Sequence, residues 1–80
     1  MRNTTLGQLR VGQRAVIARI LEQAAGEGLS LRLMQMGFLE GSEVEVMQEA
    51  PFFRDPFAVR VRGALIALRR NEADYIEVTL

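Results

Sequence analysis

Apolar and polar residues alternate along two stretches of the chain, and this alternation predicts β-strands. One strand is expected at 43–48, where valine alternates with glutamate, and another at 57–62, where apolar residues alternate with alanine and arginine. A period of two is typical of a strand that buries one face. Segments rich in valine, isoleucine and leucine predict three more strands, at 14–21, 65–69 and 76–80.

A helical spacing interrupts the strands at about residues 30–36. Apolar residues recur there at intervals of four and three positions, which aligns them on one helical face: Leu29, Leu33 and Met36. The hydroxyl of Ser30 is expected to cap the first turn, and Gly37 is expected to end the helix in a left-handed conformation. A loop of small residues at 24–28 is expected to lead into this helix.

Three short turns are also predicted. Gly63 and Ala64 are expected to form a tight hairpin between the third and fourth strands. Asn71 is expected to cap a helical turn near 71–74, and residues 6–9 are expected to form a helical turn before the first strand. Together the elements predict a mainly-β fold.

The most economical architecture for these elements is a small five-stranded SH3-like barrel with one short helix, because closing a sheet removes its exposed edges. An OB-like barrel is the second choice, although OB folds are usually longer. The chain has no repeat, linker or low-complexity tract, so residues 1–80 are expected to form a single domain.

Composition narrows the class of protein. With 49% apolar residues the chain is globular, and it has no cysteine and no run long enough to cross a bilayer. Residues 1–5 lack the apolar segment of a signal peptide, so no leader is expected. We therefore expect a soluble cytoplasmic protein that does not insert into a membrane. Ten basic residues balance ten acidic ones, which argues against nucleic acid as a partner.

Catalysis is not expected, because the chain lacks both histidine and cysteine and has no phosphate-binding glycine motif. No cofactor is expected either. The weak candidates for a metal site are three glutamates of the second strand, Glu43, Glu45 and Glu49. We favour the interpretation that these carboxylates pair with Arg60 and Arg62 on the neighbouring strand, since oxygen-only ligation suits ferrous iron poorly.

Partner-binding candidates lie in two places. Pro51 and Pro56 confine residues 50–56 to a turn, because proline cannot donate to a strand ladder. Within this turn, one of two adjacent aromatic residues is expected to pack on the barrel and the other to be partly exposed beside an arginine: Phe52, Phe53 and Arg54. The second candidate surface follows the helix face that carries Met34, Phe38 and Leu39.

An ordered series of residues from Leu9 to Val78 resembles the FeoA family, small cytoplasmic proteins of bacterial ferrous iron uptake. The residues that carry the resemblance are Leu9, Gly12, Ile17, Ile20, Arg32-Leu33, Met36-Gly37, Gly41, Val44, Val46, Ala50-Pro51, Asp55-Pro56, Val61, Gly63, Ile66-Ala67-Leu68-Arg69, Glu72-Ala73, Ile76 and Val78. One departure is the Phe52-Phe53-Arg54 segment, which stands where relatives often have a small glycine-containing turn.

The resemblance implies an SH3-like barrel and a non-catalytic accessory role. It also implies a partner, the cytoplasmic part of the FeoB transporter, which the barrel would support or regulate. Self-association, if it occurs, is expected to be weak. Two alternatives remain open: the SH3-like domain of an iron-dependent transcriptional repressor, and a small RNA-binding barrel.

Overall fold

The structure, a computed structural model, describes residues 2–21 and 26–80. Within these residues the chain forms six strands, two short α-helices and a 3-10 helix. In chain order they are β1 (Asn3–Thr5), the 3-10 helix (Leu6–Gln8), β2 (Arg14–Ile20), α1 (Glu27–Gln35), β3 (Glu43–Glu49), β4 (Phe57–Val61), β5 (Ala64–Leu68), α2 (Arg70–Ala73) and β6 (Ile76–Thr79). The mainly-β prediction is confirmed.

All six strands belong to one antiparallel sheet with the order β1-β6-β2-β3-β4-β5. Strands β3, β4 and β5 follow one another as a meander, whereas β6 returns to lie between β1 and β2. The sequence predicted five of these strands. The sixth, β1, has only three residues, which is too short for an alternating pattern to mark it.

The core lies on the inner face of the sheet. The alternating residues of β3 and β4 are buried as predicted: Val44, Val46, Phe57, Val59 and Val61. Side chains from the other elements complete this core, including Leu6, Leu9, Ile17, Leu33, Phe38, Leu68, Ile76 and Val78. Leu29 and Met36 are half-buried against it, so the predicted apolar face of α1 is confirmed.

The end of α1 follows the prediction, but its start does not. Gly37 has a φ of +106°, and the amides of Gly37 and Phe38 donate to the carbonyls of Met34 and Leu33, which is a Schellman ending. The predicted cap at Ser30 is wrong, because α1 already begins at Glu27 and Ser30 is buried inside the helix.

Two turns lie one residue earlier than predicted. The β4–β5 hairpin turns through Arg62 and Gly63, whose φ values are +48° and +81°, and Ala64 already belongs to β5. Helix α2 begins at Arg70, so Asn71 is not its cap. Part of the loop predicted at 24–28 lies outside the described residues, and Gly28 is helical.

Candidate functional site

The aromatic loop, residues 50–56, joins β3 to β4 and presents two phenylalanines to solvent. Phe52 is 78% exposed and Phe53 is 96% exposed, so the prediction that one of them packs on the barrel is wrong. The base of the loop is closed where the amide of Ala50 donates to the carbonyl of Pro56 over 3.0 Å. Phe53 and Arg54 both have positive φ values, +63° and +56°, which turn the chain sharply at the tip.

Arg70, the first residue of α2, holds the aromatic loop from below. Its Nε donates to the carbonyl of Arg54 over 2.9 Å, and its backbone amide donates to the Asp55 carboxylate over 2.9 Å. The guanidinium also donates to the carbonyls of Gly7, over 3.3 Å, and Leu9. A single side chain thus joins the loop to the segment around the 3-10 helix.

The same guanidinium binds a carboxylate. Its Nη2 lies 3.0 Å from Oε1 of Glu49, at the end of β3, and the Arg70 side chain is only 16% exposed. Arg10 and Arg54 approach Glu49 less closely, at 3.8 Å each. Burial lowers the pKa of the Arg70 guanidinium, and the charges of Glu49 and Asp55 oppose that shift. Three arginines and two carboxylates leave this region with a net positive charge.

Arg70 also explains why neither ring of the loop turns inward. Its guanidinium carbon lies 3.9 Å from the centroid of Phe57, a cation–π contact, and Phe57 is the buried aromatic at this end of the barrel. The space between the loop and the core is therefore filled by Arg70. With Arg70 in this place, Phe52 and Phe53 lie on the surface.

Only part of the second predicted surface is exposed to solvent. Met34 is half-buried and Leu39 is 39% exposed, and both line a shallow depression that also includes Arg19 and Glu40. Phe38 lines the same depression from the core side, and it is completely buried, so it offers no exposed surface of its own. The physical reason is the Schellman ending of α1, which directs the chain back over the barrel directly after Gly37.

The three glutamates of β3 do not form a cluster. Among the described residues no group of three or more acidic side chains is placed to hold a metal ion. Oxygen atoms of Glu45 lie 3.6 Å from Arg14 and 4.0 Å from Arg60, so its predicted cross-strand pair with Arg60 is present. Arg62, in contrast, reaches the hydroxyl of Ser42 at 3.5 Å.

Sequence reasoning missed Arg70 altogether. Arg70 lies between two other polar residues, Arg69 and Asn71, so no periodic pattern singles it out. The hydrogen-bond partners of its side chain are between 16 and 63 positions away in the sequence. No local signal identifies contacts of that kind.

In the described part of the chain, no helix has the length and apolar character that a membrane crossing requires.

Comparison with protein families matches residues 4–80 of this chain to the FeoA domain. A curated relative from Porphyromonas gingivalis, an Fe(2+) transport protein A/Fe(2+) transporter FeoB fusion protein, is 40% identical over 76 residues. The alignment covers 94% of this chain but only 8% of that relative.

Solved structures of FeoA proteins also match this chain. The NMR structure of a FeoA-like protein from Clostridium acetobutylicum matches with a TM-score of 0.87 and 26% identity, covering 100% of this chain and 88% of the other. The zinc complex of Stenotrophomonas maltophilia FeoA, described as a prokaryotic SH3 domain protein, matches with a TM-score of 0.82 and 31% identity, covering 94% and 88%. The predicted SH3-like fold is thereby confirmed. A manganese-dependent transcriptional repressor shares the fold at 22% identity, with a TM-score of 0.85, over 99% of this chain and 37% of the repressor.

Proposed function

The chain belongs to the FeoA family, and on that premise we propose that it is a non-catalytic cytoplasmic accessory protein of ferrous iron uptake. Its partner is the cytoplasmic portion of a FeoB-type transporter, on which it docks to support or regulate transport. The relative that joins FeoA and FeoB in one polypeptide supports this pairing, since two fused proteins act in the same place.

The observation that carries the docking proposal is the aromatic loop. Two adjacent phenylalanines lie almost fully in water, although burying one such ring typically contributes about 1.5–3 kcal/mol. The loop that carries them is held at Arg54 and Asp55 by Arg70, so it loses little conformational freedom when a partner binds. Exposed aromatic residues on a restrained loop are typical of an interface centre.

The chemistry of the chain supports a binding role. The sequence has no histidine and no cysteine, and Glu45 and Glu49 both lie beside arginines. General acid–base catalysis needs a titratable group within reach of a bound substrate. The function of this barrel therefore lies in its contacts.

The alternatives have less support. The repressor likeness, at 22% identity, is a likeness of fold, whereas the FeoA model matches residues 4–80. An RNA-binding barrel needs a basic surface with stacking aromatic residues. Here the net charge is zero, and both exposed rings are on one loop.

The test is the affinity of the purified chain for the cytoplasmic portion of the FeoB-type transporter, measured by calorimetry. Phe53→Ala is expected to weaken binding about tenfold or more, because a central aromatic residue at an interface typically contributes over 1 kcal/mol. Its fold is expected to be unchanged, since the ring contacts solvent. Phe52→Ala is the comparison within the loop.

Leu39→Ala is the matched control, because Leu39 is an exposed apolar residue at the second predicted surface. Unchanged affinity for both phenylalanine variants would remove the aromatic loop from the interface. If only Leu39→Ala lowers the affinity, the contact lies at the surface around Met34. A wild-type chain that does not bind the transporter at all would contradict the proposed partner.

A further inference from the structure

One edge of the sheet has free backbone hydrogen-bonding groups. Strand β5 is the last in the sheet order and pairs with β4 alone. Because a two-residue turn precedes it, Ala64 forms a hydrogen-bonded pair with Val61, and the bonding then alternates along the strand. The N–H and C=O groups of Leu65 and Ala67 therefore point away from β4. Elsewhere in the described chain, no backbone group bonds to them.

This edge lacks the usual protection against strand pairing. Its sequence, Ala-Leu-Ile-Ala-Leu, has no charge, no proline and no glycine. Exposed edges in soluble proteins are normally shortened, charged, bulged or covered. Leu65 on the outer face is 59% exposed, and Ala67 is exposed as well. An edge of this kind is suited to pairing with another extended segment.

The residues around β5 indicate what kind of segment fits. Exposed arginines flank the uncharged strand: Arg62 precedes it, Arg69 follows it, and Arg60 lies opposite Leu65 on β4. Two acids lie close to them: an oxygen of Glu45 is 4.0 Å from Arg60, and Glu72 accepts a hydrogen bond from the backbone amide of Arg69. A complementary segment is apolar in its middle and acidic at its ends.

We propose that the free edge of β5 binds such a segment of a partner protein as an additional strand. This proposal adds a specific contact to the docking function. It rests on that function in one respect, because the transporter is taken as the protein that supplies the segment. A depression of about 260 Å³ beside Ala67, lined also by Ala58 and by Pro56 of the aromatic loop, would receive a side chain of the added strand. The strand contact and the aromatic loop thus form one continuous surface.

A second copy of this chain fits the edge poorly. Full overlap of two β5 strands in antiparallel register, centred on Ile66, places Arg69 of each copy opposite Gly63 of the other and so beside its Arg62. Like charges brought together in this way destabilise a strand pair. The charges of the edge therefore favour an acidic partner over self-pairing.

The test uses two synthetic peptides and needs no transporter. One is acetyl-Asp-Val-Thr-Val-Thr-Asp-amide, and the other has lysine at both ends. Amide hydrogen exchange of the whole chain is followed by NMR. In the free chain the amides of Leu65 and Ala67 are expected to exchange rapidly and that of Ile66 slowly. Adding the acidic peptide is expected to slow exchange at Leu65 and Ala67, and the lysine peptide is expected to bind about fivefold more weakly or worse.

Two substitutions separate backbone pairing from side-chain contact. Ala67→Pro removes one outward N–H without breaking the ladder to β4, and it is expected to abolish peptide binding. Ala67→Val keeps that N–H and favours strand, so it is expected to retain binding. If Ala67→Pro unfolds, the exchange data for the wild-type chain decide the matter alone.

Unchanged exchange at Leu65 and Ala67 in millimolar acidic peptide would overturn the proposal. So would protection of these amides that grows with protein concentration without peptide, since that result would assign the edge to a second copy. The proposed function fails separately, by absence of transporter binding. If the transporter binds and Phe53→Ala weakens it while Ala67→Pro does not, docking stands and the strand contact is refuted.

Discussion

Replacing Arg70 tests whether one side chain holds the aromatic loop. Arg70→Met keeps much of the side-chain length but removes every donor of the guanidinium, including those to Arg54 and Glu49. Removing one partner of a fully buried ion pair costs about 3–5 kcal/mol, because the other charge is left unpaired, whereas the side chains of Arg70 and Glu49 are 16% and 19% exposed. Glu49 still has Arg10 and Arg54 at 3.8 Å, which places the expected loss near the lower limit, at about 3 kcal/mol.

That loss is large for a chain of this size. A domain of 80 residues is stabilised by about 4–12 kcal/mol in total. Urea denaturation followed by circular dichroism measures the free energy of unfolding directly. Arg70→Lys is expected to lie between wild type and Arg70→Met, because an ammonium group keeps the charge but cannot reach all the acceptors of a guanidinium fork.

Arg14→Met is the matched control. Arg14 also pairs with a glutamate of β3, at 3.6 Å from Glu45, but its side chain is 67% exposed. An exposed pair of this kind contributes less than about 1 kcal/mol. If Arg70→Met and Arg14→Met lower the free energy of unfolding equally, within about 0.5 kcal/mol, the reasoning about Arg70 is refuted.

Two further predictions concern glycines and the hairpin turn. Gly7→Ala is expected to destabilise the fold by about 1–3 kcal/mol, because its Cβ would lie 2.1 Å from Oδ1 of Asp74 and 2.6 Å from the carbonyl oxygen of Arg70. Gly28→Ala, with open space around it in α1, is expected to stabilise the fold by up to about 1 kcal/mol. If Gly7→Ala and Gly28→Ala change the free energy of unfolding in urea equally, the packing argument is contradicted. Arg62→Asn is expected to stabilise by about 0.5–1 kcal/mol, since asparagine tolerates the φ of +48°. A lower urea midpoint for this variant would contradict the turn assignment.

The strands of the meander could be predicted because their signal is local. In β3 and β4 the alternation of apolar and polar residues follows directly from which face is buried. The start of α1 could not be predicted in the same way. Its first residues, Glu27 and Gly28, have no cap signal, and glycine is a poor helix former, so the remainder of the fold determines where the helix begins.

The candidate site could likewise be predicted only where its signal is local. The exposure of an aromatic residue at 52–53 could be predicted from the two prolines around it, but the exposure of both rings could not. That outcome depends on Arg70, whose guanidinium occupies the space below the loop and stacks on Phe57. Contacts that join Gly7, Glu49 and Arg54 through one side chain have no signature in the sequence around Arg70.

The place of β6 in the sheet has a consequence for synthesis on the ribosome. The meander of β3, β4 and β5 pairs neighbours in sequence, so it can form while the chain is still growing. Among the strands that the structure describes, β1 pairs with β6, and Asn3 pairs with Thr79 across almost the whole chain. Of the six strands of this sheet, β1 is therefore made first and paired last, and a chain that stops before residue 76 leaves both β1 and one edge of β2 unpaired.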